Sequence, residues 1–335
     1  MLGRRPVAVE SSEARAKPLA AVGLVQRILG FRELLLIGVI VLAALLMSRL
    51  TPYFLTWGNI ESVIIGMAPT AIIVVGMTVV LVSGGLDLSV GSVMALSGTV
   101  VGLLLLRGVP IWLSVLLVLV TGAVVGFING VVITKLRVNP LITTLGMLTI
   151  ARGIAMVITQ GFTVTGLPAP FAYLGQGSLL GVPPMLWVMA LIVAAGDVAM
   201  RSTRYMRQVY YVGGNERAAL LSGIKVDRVK TATYVLSALL STVAGILLAS
   251  RLMAGTPTAG VGLELTAIAA AVIGGASLMG GEGTVLGGFL GTVFMSLIGN
   301  AMIILGISIY WQGIVSGVIL ILVVSLDMLL RARYR

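Results

Sequence analysis

The chain contains no cysteine and no histidine. The first absence removes disulfides, a thiol nucleophile and thiolate metal ligation. The second removes the commonest metal ligand and general base. Together they argue against an enzyme, and neither a catalytic residue nor a metal site is assigned. Charge is scarce too: 10% of the 335 residues are charged, against about a quarter in a soluble protein. Such a chain cannot cover its surface with polar groups and belongs in a bilayer. What it has in quantity is apolar residues, 59%, and 43 glycines, as expected where helices pack backbone to backbone in lipid. The 16 methionines read as packing filler rather than a soft-metal path.

A net charge of +11 would suit nucleic acid, but its distribution suits a membrane instead. Ten apolar runs lie near 33–50, 62–82, 89–106, 111–134, 140–159, 184–200, 229–252, 264–279, 283–304 and 309–330. A span needs about 20 residues, with about 17 tolerable, so the third and eighth are at or below the limit. The eighth is a candidate for a partial or re-entrant span. With the N-terminus in the cytoplasm, only Arg49, Arg107, Arg152 and Arg251 of the 22 Lys and Arg fall outside the inner segments. The expectation is an all-α polytopic membrane protein of about ten transmembrane helices with cytoplasmic N- and C-termini. Residues 1–32, carrying Arg4, Arg5, Arg15 and Lys17, form a basic cytoplasmic tail, expected to be disordered apart from a short interfacial helix near 22–31. Residues 33–335 form the transmembrane domain, with a cytoplasmic loop at 201–230.

Two acidic residues sit in matching contexts: Gly85-Leu86-Asp87-Leu88-Ser89 and Gly262-Leu263-Glu264-Leu265-Thr266. In the topology above, the first lies at the inner face and the second at the outer face. This is the pattern of an inverted repeat, with spans 2–5 mirrored by spans 7–10. A bare charge at membrane depth costs about 2.5–3.5 kcal/mol on insertion scales, but a helix cap makes it tolerable. One reading has Asp87 and Ser89 simply capping a broken helix. The other, compatible with it, has Gly84, Gly85, Asp87 and Ser89 forming an inner gate, and Gly262, Glu264 and Thr266 an outer one. Gly274-Gly275, Gly280-Gly281-Glu282-Gly283, Gly287-Gly288 and Gly291 lack a phosphate-loop lysine, and close packing of spans eight and nine explains them. Asn129, Thr143, Thr144, Ser296 and Asn300, with Arg152, Gln160 and Gln312, are the candidates for a passage lining. Such residues more often bond across helices than touch a solute.

The interval 201–230 carries Arg201, Arg204, Arg207, Arg217, Lys225, Arg228 and Lys230. Inside it, Gly213 and Gly214 make a flexible approach, and Asn215 is suited to cap a helix. Glu216 and Arg217 precede Ala218, Ala219, Leu220, Leu221 and Ser222, and Gly223 can take the left-handed conformation that ends the helix. A two-turn helix is unstable alone, so it is either held against something or rests on lipid head groups.

The run from Gly76-Met77-Thr78 through Ser83-Gly84-Gly85-Leu86-Asp87-Leu88-Ser89-Val90-Gly91-Ser92 resembles the signature of permease subunits of bacterial ABC sugar importers of the ribose/xylose/arabinose/autoinducer type. The resemblance continues at Gly213-Gly214-Asn215-Glu216, Ser222-Gly223-Ile224, Pro257-Thr258-Ala259-Gly260 and Ala267-Ile268-Ala269-Ala270, covering roughly 34–330. It implies ten spans, a cobalamin-importer-like architecture and a bacterial inner-membrane location. It also implies a second permease subunit, a cytoplasmic ATPase with two nucleotide-binding halves that holds ATP and Mg, and an extracytoplasmic sugar-binding protein. The coupling helix maps onto 215–222. Ala218-Ala219 and Gly223 keep the spacing of the importer consensus, while Arg217 departs from it, with Glu216 one place early. The chain is then a non-hydrolysing conduit for a small neutral sugar, bound by lipids but by no nucleic acid. The rivals are a permease for nucleosides or branched-chain amino acids, a proton-coupled secondary transporter using Asp87 or Glu264, and a membrane enzyme acting on lipid-linked sugars.

Overall fold

The computed structural model describes residues 17–332. The helices are α1 (Lys17–Leu50), α2 (Trp57–Val82), α3 (Val90–Leu106), α4 (Ile111–Thr134), α5 (Pro140–Thr159), α6 (Tyr173–Gln176), α7 (Pro184–Ser202), α8 (Arg204–Gly214), α9 (Glu216–Leu221), α10 (Val226–Leu252), α11 (Leu263–Ile273), α12 (Val285–Ile304) and α13 (Ile309–Ala332). Among the described residues there is no strand, only isolated bridges at Val164–Gly255 and Leu179–Val182.

Among the described residues, seven helices are long and apolar enough to cross a membrane: α1 through Glu33–Leu50, α2, α4, α5, α7, α10 and α12. The expected run ends agree closely, and 111–134 and 140–159 match α4 and α5. One expectation needs correction. The short interfacial helix expected near 22–31 is not separate, because α1 starts at Lys17 and runs unbroken into the first apolar run. The part of the tail before residue 17 lies outside the described residues. The eighth run, a candidate for a partial or re-entrant span, is indeed short and helical only over Leu263–Ile273. At 1.5 Å per residue that is about 16 Å, half a hydrocarbon core. Gly274 ends it and Gly275, at φ 96°, turns the chain away.

Two helices form the centre. In α2, every residue from Met67 to Val82 except Thr70 is buried. In α10 the buried set includes Thr233, Ser237, Ser241, Thr242 and Ser250. Polar side chains thus point inward, while apolar ones such as Leu116, Val120 and Phe127 face out from α4, the arrangement lipid demands. The two centres run antiparallel: a Cβ at Gly76 would meet Ser237, and Ser83 sits against Thr233. By contrast α3 runs parallel to α10, since Ser97 donates to Thr242 and Gly98 abuts Gly245 and Ala249.

The shared contacts arise because glycines let backbones touch. On α4, Gly122, Gly126 and Gly130 recur every fourth residue and face α10; a Cβ at Gly126 would lie 2.6 Å from both Tyr234 O and Val235 Cα. The α11–α12 contact is of the same kind: Gly274 meets Gly287, and Gly291 meets the Ala270 carbonyl. Close packing of α11 on α12 therefore accounts for Gly274, Gly287 and Gly291, whereas Gly280 and Gly281 lie against Gly213 and Gly214 at the end of α8. The uncharged loop 160–183 is folded onto the end of α10, where Ser250 Oγ donates to Phe171 O (2.6 Å) and accepts from Gly175 N (2.8 Å).

Candidate functional site

Asp87 lies in the break between α2 and α3 and is fully buried. It does not cap α3 as its position in sequence suggested. Its Oδ1 accepts from Ser89 N (3.0 Å) and Ser89 Oγ (2.6 Å), and its Oδ2 from Ser237 Oγ (2.8 Å) on α10. Asn129 Nδ2 on α4 donates to the same Ser89 hydroxyl at 3.1 Å. The chain Asn129–Ser89–Asp87–Ser237 therefore ties two helices, α4 and α10, to the break. Thr144, at the start of α5, donates to Pro140 O at 2.9 Å and lies 3.4 Å from Leu86 O. Ser237 had no signal in the sequence, being one of several hydroxyls on α10.

The second break is not at an opposite membrane face. Ser237 is the twelfth residue of α10, about 16 Å from its start. Asp87 is therefore deep, not at an inner mouth. A Cβ at Gly91, four residues on, would meet Gly260 O at 2.3 Å and Glu264 Oε2 at 2.9 Å. Both acidic motifs thus converge on one interior point, where α3 and α11 begin side by side. From there α3 follows α10, whereas α11 heads toward the end of α2, where Ala276 packs beside Gly283 and Val82. The carboxylate of Glu264 does not cap α11 either. Gly262, at φ 79°, occupies the cap position, and Thr266 Oγ1 bonds back to Gly262 O (3.3 Å). Arg152, whose partner was not evident from sequence, donates from one guanidinium nitrogen to Pro257 O (2.7 Å) and Ala259 O (2.6 Å). It clamps the loop entering α11 from α5.

Of the other passage candidates, Thr143 is half-buried on α5 with its hydroxyl on Asn139 O (3.1 Å), and Ser296 is partly buried in α12. Asn300 is committed elsewhere. Its amide makes a reciprocal pair with Asn59, 2.8 and 2.9 Å, joining the end of α12 to the start of α2. Replacing both by Ala should cost less than the sum of the single replacements, with a coupling of about 0.5–3 kcal/mol. Thermal unfolding of the four-member cycle in detergent measures this; strict additivity would show the pair to be inert.

Within 201–230 the short helix α9 forms where its sequence suggested, but Gly213 and Gly214 are the last turn of helix α8 rather than a flexible approach. Asn215 Oδ1 accepts from Ala218 N (2.9 Å), and Gly223 has φ 82°. Asn215 also ends α8 by donating its own N–H to Tyr211 O (3.0 Å), so α8 and α9 share one hinge residue. Lys230 pairs with Glu216, and Lys135 with Asp227, fixing α9 and α4 to the base of α10. Such exposed pairs contribute roughly 0–1 kcal/mol each. Ala219 is buried in the main core, whereas Leu220 and Leu221 are 62% and 83% exposed. Between α8 and α9 lies an open depression of about 780 Å³, lined by Arg204, Arg207, Tyr211, Asn215, Ala218 and Ser222 among others. Tyr210 Oη donates to Gly283 O at 2.6 Å. Burial, with the nearby Asp197 carboxylate, pushes this hydroxyl up to about 12, so it stays a donor at neutral pH.

Residues 59–324 match the family model described as branched-chain amino acid transport system / permease component. The chain belongs to this permease family. Similar relatives of this permease include the ribose import permease protein RbsC of Haemophilus influenzae, 40% identical over 295 residues (87% of this chain, 91% of the relative). RbsC of Bacillus subtilis is 39% identical over 320 residues, covering 95% and 98%. The L-arabinose ABC transporter permease protein AraH of Azospirillum brasilense is 35% identical over 325 residues, covering 97% and 95%. No solved structure matches the permease.

Proposed function

We propose that this permease is the membrane-spanning subunit of an ATP-driven importer for a small neutral sugar, a pentose, hexose or related polyol. The names of its ribose and arabinose relatives support a sugar over a nucleoside or a branched-chain amino acid. The observation carrying the coupling is α9 itself. Six residues cannot hold a helix alone, yet α9 is capped, anchored by Ala219 and left with Leu220 and Leu221 bare. Those leucines dock on a cytoplasmic ATPase with two nucleotide-binding halves, which holds ATP and Mg and carries out the hydrolysis. A second permease copy or homologue completes the pathway, and an extracytoplasmic binding protein delivers the sugar.

In this reading the chain has ten spans in the bacterial inner membrane, counting α3, α11 and α13, with both termini cytoplasmic. An inverted repeat relates α2–α5 to α10–α13, and the packing supports it. Helix α10 lies on α4 as α2 lies on α12, α3 on α5 as α11 on α13, and α3 on α4 as α11 on α12. Two helices, α3 and α11, starting from one interior point and running to opposite sides are what such a repeat builds. A proton-coupled carrier is not favoured, because hydroxyl donors from Ser89 and Ser237 already occupy the Asp87 carboxylate.

The test is the double replacement Leu220→Asp with Leu221→Asp. Two carboxylates on an apolar contact should reduce ATPase co-purification and sugar uptake about a hundredfold, since each buried unpaired charge costs several kcal/mol. Full uptake by this variant in proteoliposomes would end the docking assignment.

A further inference from the structure

At the end of α8, three stretches of backbone touch with no side chain between them. A Cβ built on Gly213 would stand 1.8 Å from Val82 O, the last carbonyl of α2, and 2.7 Å from Gly281 N. A Cβ on Gly280 would stand 2.7 Å from Gly213 O and 2.9 Å from Gly84 Cα. Gly281 N donates to Val82 O at 2.8 Å, closing the junction. Gly84, Gly280 and Gly281 have φ 76°, 85° and 77°, conformations that disfavour any other residue here. The junction continues in both directions. Gly85 packs under the Tyr234 ring, where a Cβ would be 2.5 Å from Oη, and two residues later comes Asp87. On the other side, Tyr210 Oη holds the Gly283 carbonyl just before α12.

We infer that Gly213 is the positioning residue through which movement of α9 reaches α3 and α11 together, by direct backbone contact with the loops 83–89 and 274–284. The inference rests on the coupling role of α9 proposed above. Its physical basis is stiffness. A side chain between two segments absorbs a displacement by changing rotamer, but touching backbones can only move together. The shared hinge residue Asn215 joins α9 to α8, so a push on Leu220 and Leu221 is delivered at Gly213. There it meets the loop that leads to α3 and the loop that leaves α11. One input thus moves both halves in the same stroke, as alternate opening of a two-half pathway requires.

The test uses the assembled importer in proteoliposomes, with ribose as the solute. The cysteine-free chain allows a single environment-sensitive fluorophore at Met279→Cys, since Met279 is 62% exposed in the 274–284 loop. Gly213→Ala should still co-purify with the ATPase and hydrolyse ATP, while ribose moved per ATP falls about tenfold, the size expected of a backbone overpacking clash. The fluorophore response to a non-hydrolysable ATP analogue, which needs no solute, should disappear. Gly38→Ala, at a glycine with nothing within 4 Å, is the control and should change neither readout. Wild-type coupling and fluorescence response in Gly213→Ala would overturn the inference. Should that variant fail to assemble, Tyr210→Phe decides, because it removes one hydrogen bond without adding bulk. It should lower ribose moved per ATP about threefold at unchanged hydrolysis, and an unchanged ratio would overturn the inference. If instead the Leu220→Asp, Leu221→Asp variant transports normally, the coupling role itself fails, independently of Gly213.

Discussion

Gly126→Leu is expected to prevent the folded permease from accumulating in the membrane. The residue faces α10 where that helix presents Tyr234 O and Val235 Cα, both 2.6 Å from an ideal Cβ. Neither can rotate away as a side-chain tip could. Its neighbours Gly122 and Gly130 meet Thr242 and Thr231 just as closely, so tilting α4 to relieve one clash worsens another. Overpacking a core costs about 1–3 kcal/mol when side chains can adjust. Here a backbone must move, and the whole of a domain's net stability is about 5–15 kcal/mol. Immunodetection in isolated membranes and thermal unfolding in detergent are the measurements. Gly126→Ala should be milder but still destabilised, and Gly38→Leu on the outer face of α1 should accumulate normally. Normal accumulation of Gly126→Leu would mean that α4 does not pack on α10 through this stripe.

Asp87→Ala should abolish sugar uptake while Asp87→Asn retains part of it. Alanine strands three donors in a buried site, Ser89 N, Ser89 Oγ and Ser237 Oγ, and frees Asn129 from its anchored partner. Each stranded donor costs about 1–3 kcal/mol. Asparagine keeps an acceptor oxygen and can hold one of the contacts. The expected order in both uptake and thermal midpoint is therefore wild type, Asn, Ala. If Ala transports as well as wild type, the carboxylate is not what holds the break between α2 and α3.

Much of the fold was legible because hydropathy is a local property. The runs 111–134 and 140–159 match helices to the residue, and Asn215 and Gly223 mark the ends of α9 because capping chemistry acts within one turn. The family signature around Gly76–Ser92 was equally readable. Long-range choices were not. Ser237 is indistinguishable in sequence from the other hydroxyls of α10 until Asp87 is seen beside it. Asn300 looked like a passage lining because its partner Asn59 is 241 residues away. The Gly122, Gly126 and Gly130 spacing could have been noticed, since a four-residue glycine period on one helix is a recognised sign of close approach.

The placement of the two acidic motifs shows where local information ended. Placing the two motifs by counting runs alone put Asp87 and Glu264 at opposite membrane faces, although the eighth run was already a candidate for a partial or re-entrant span. In the structure the chain turns back through the interior, α11 is half a span, and both motifs meet at Gly91 and Gly260. Composition, hydropathy and capping chemistry by themselves determined a helical membrane protein and a short capped helix at 216–221, because each of those signals acts over a few residues. Only the tertiary structure decided how deep each break lies, which hydroxyls reach Asp87, and that Gly213 touches both loops. Depth and contact depend on where distant backbones come together, and that is settled by the packing of the whole bundle.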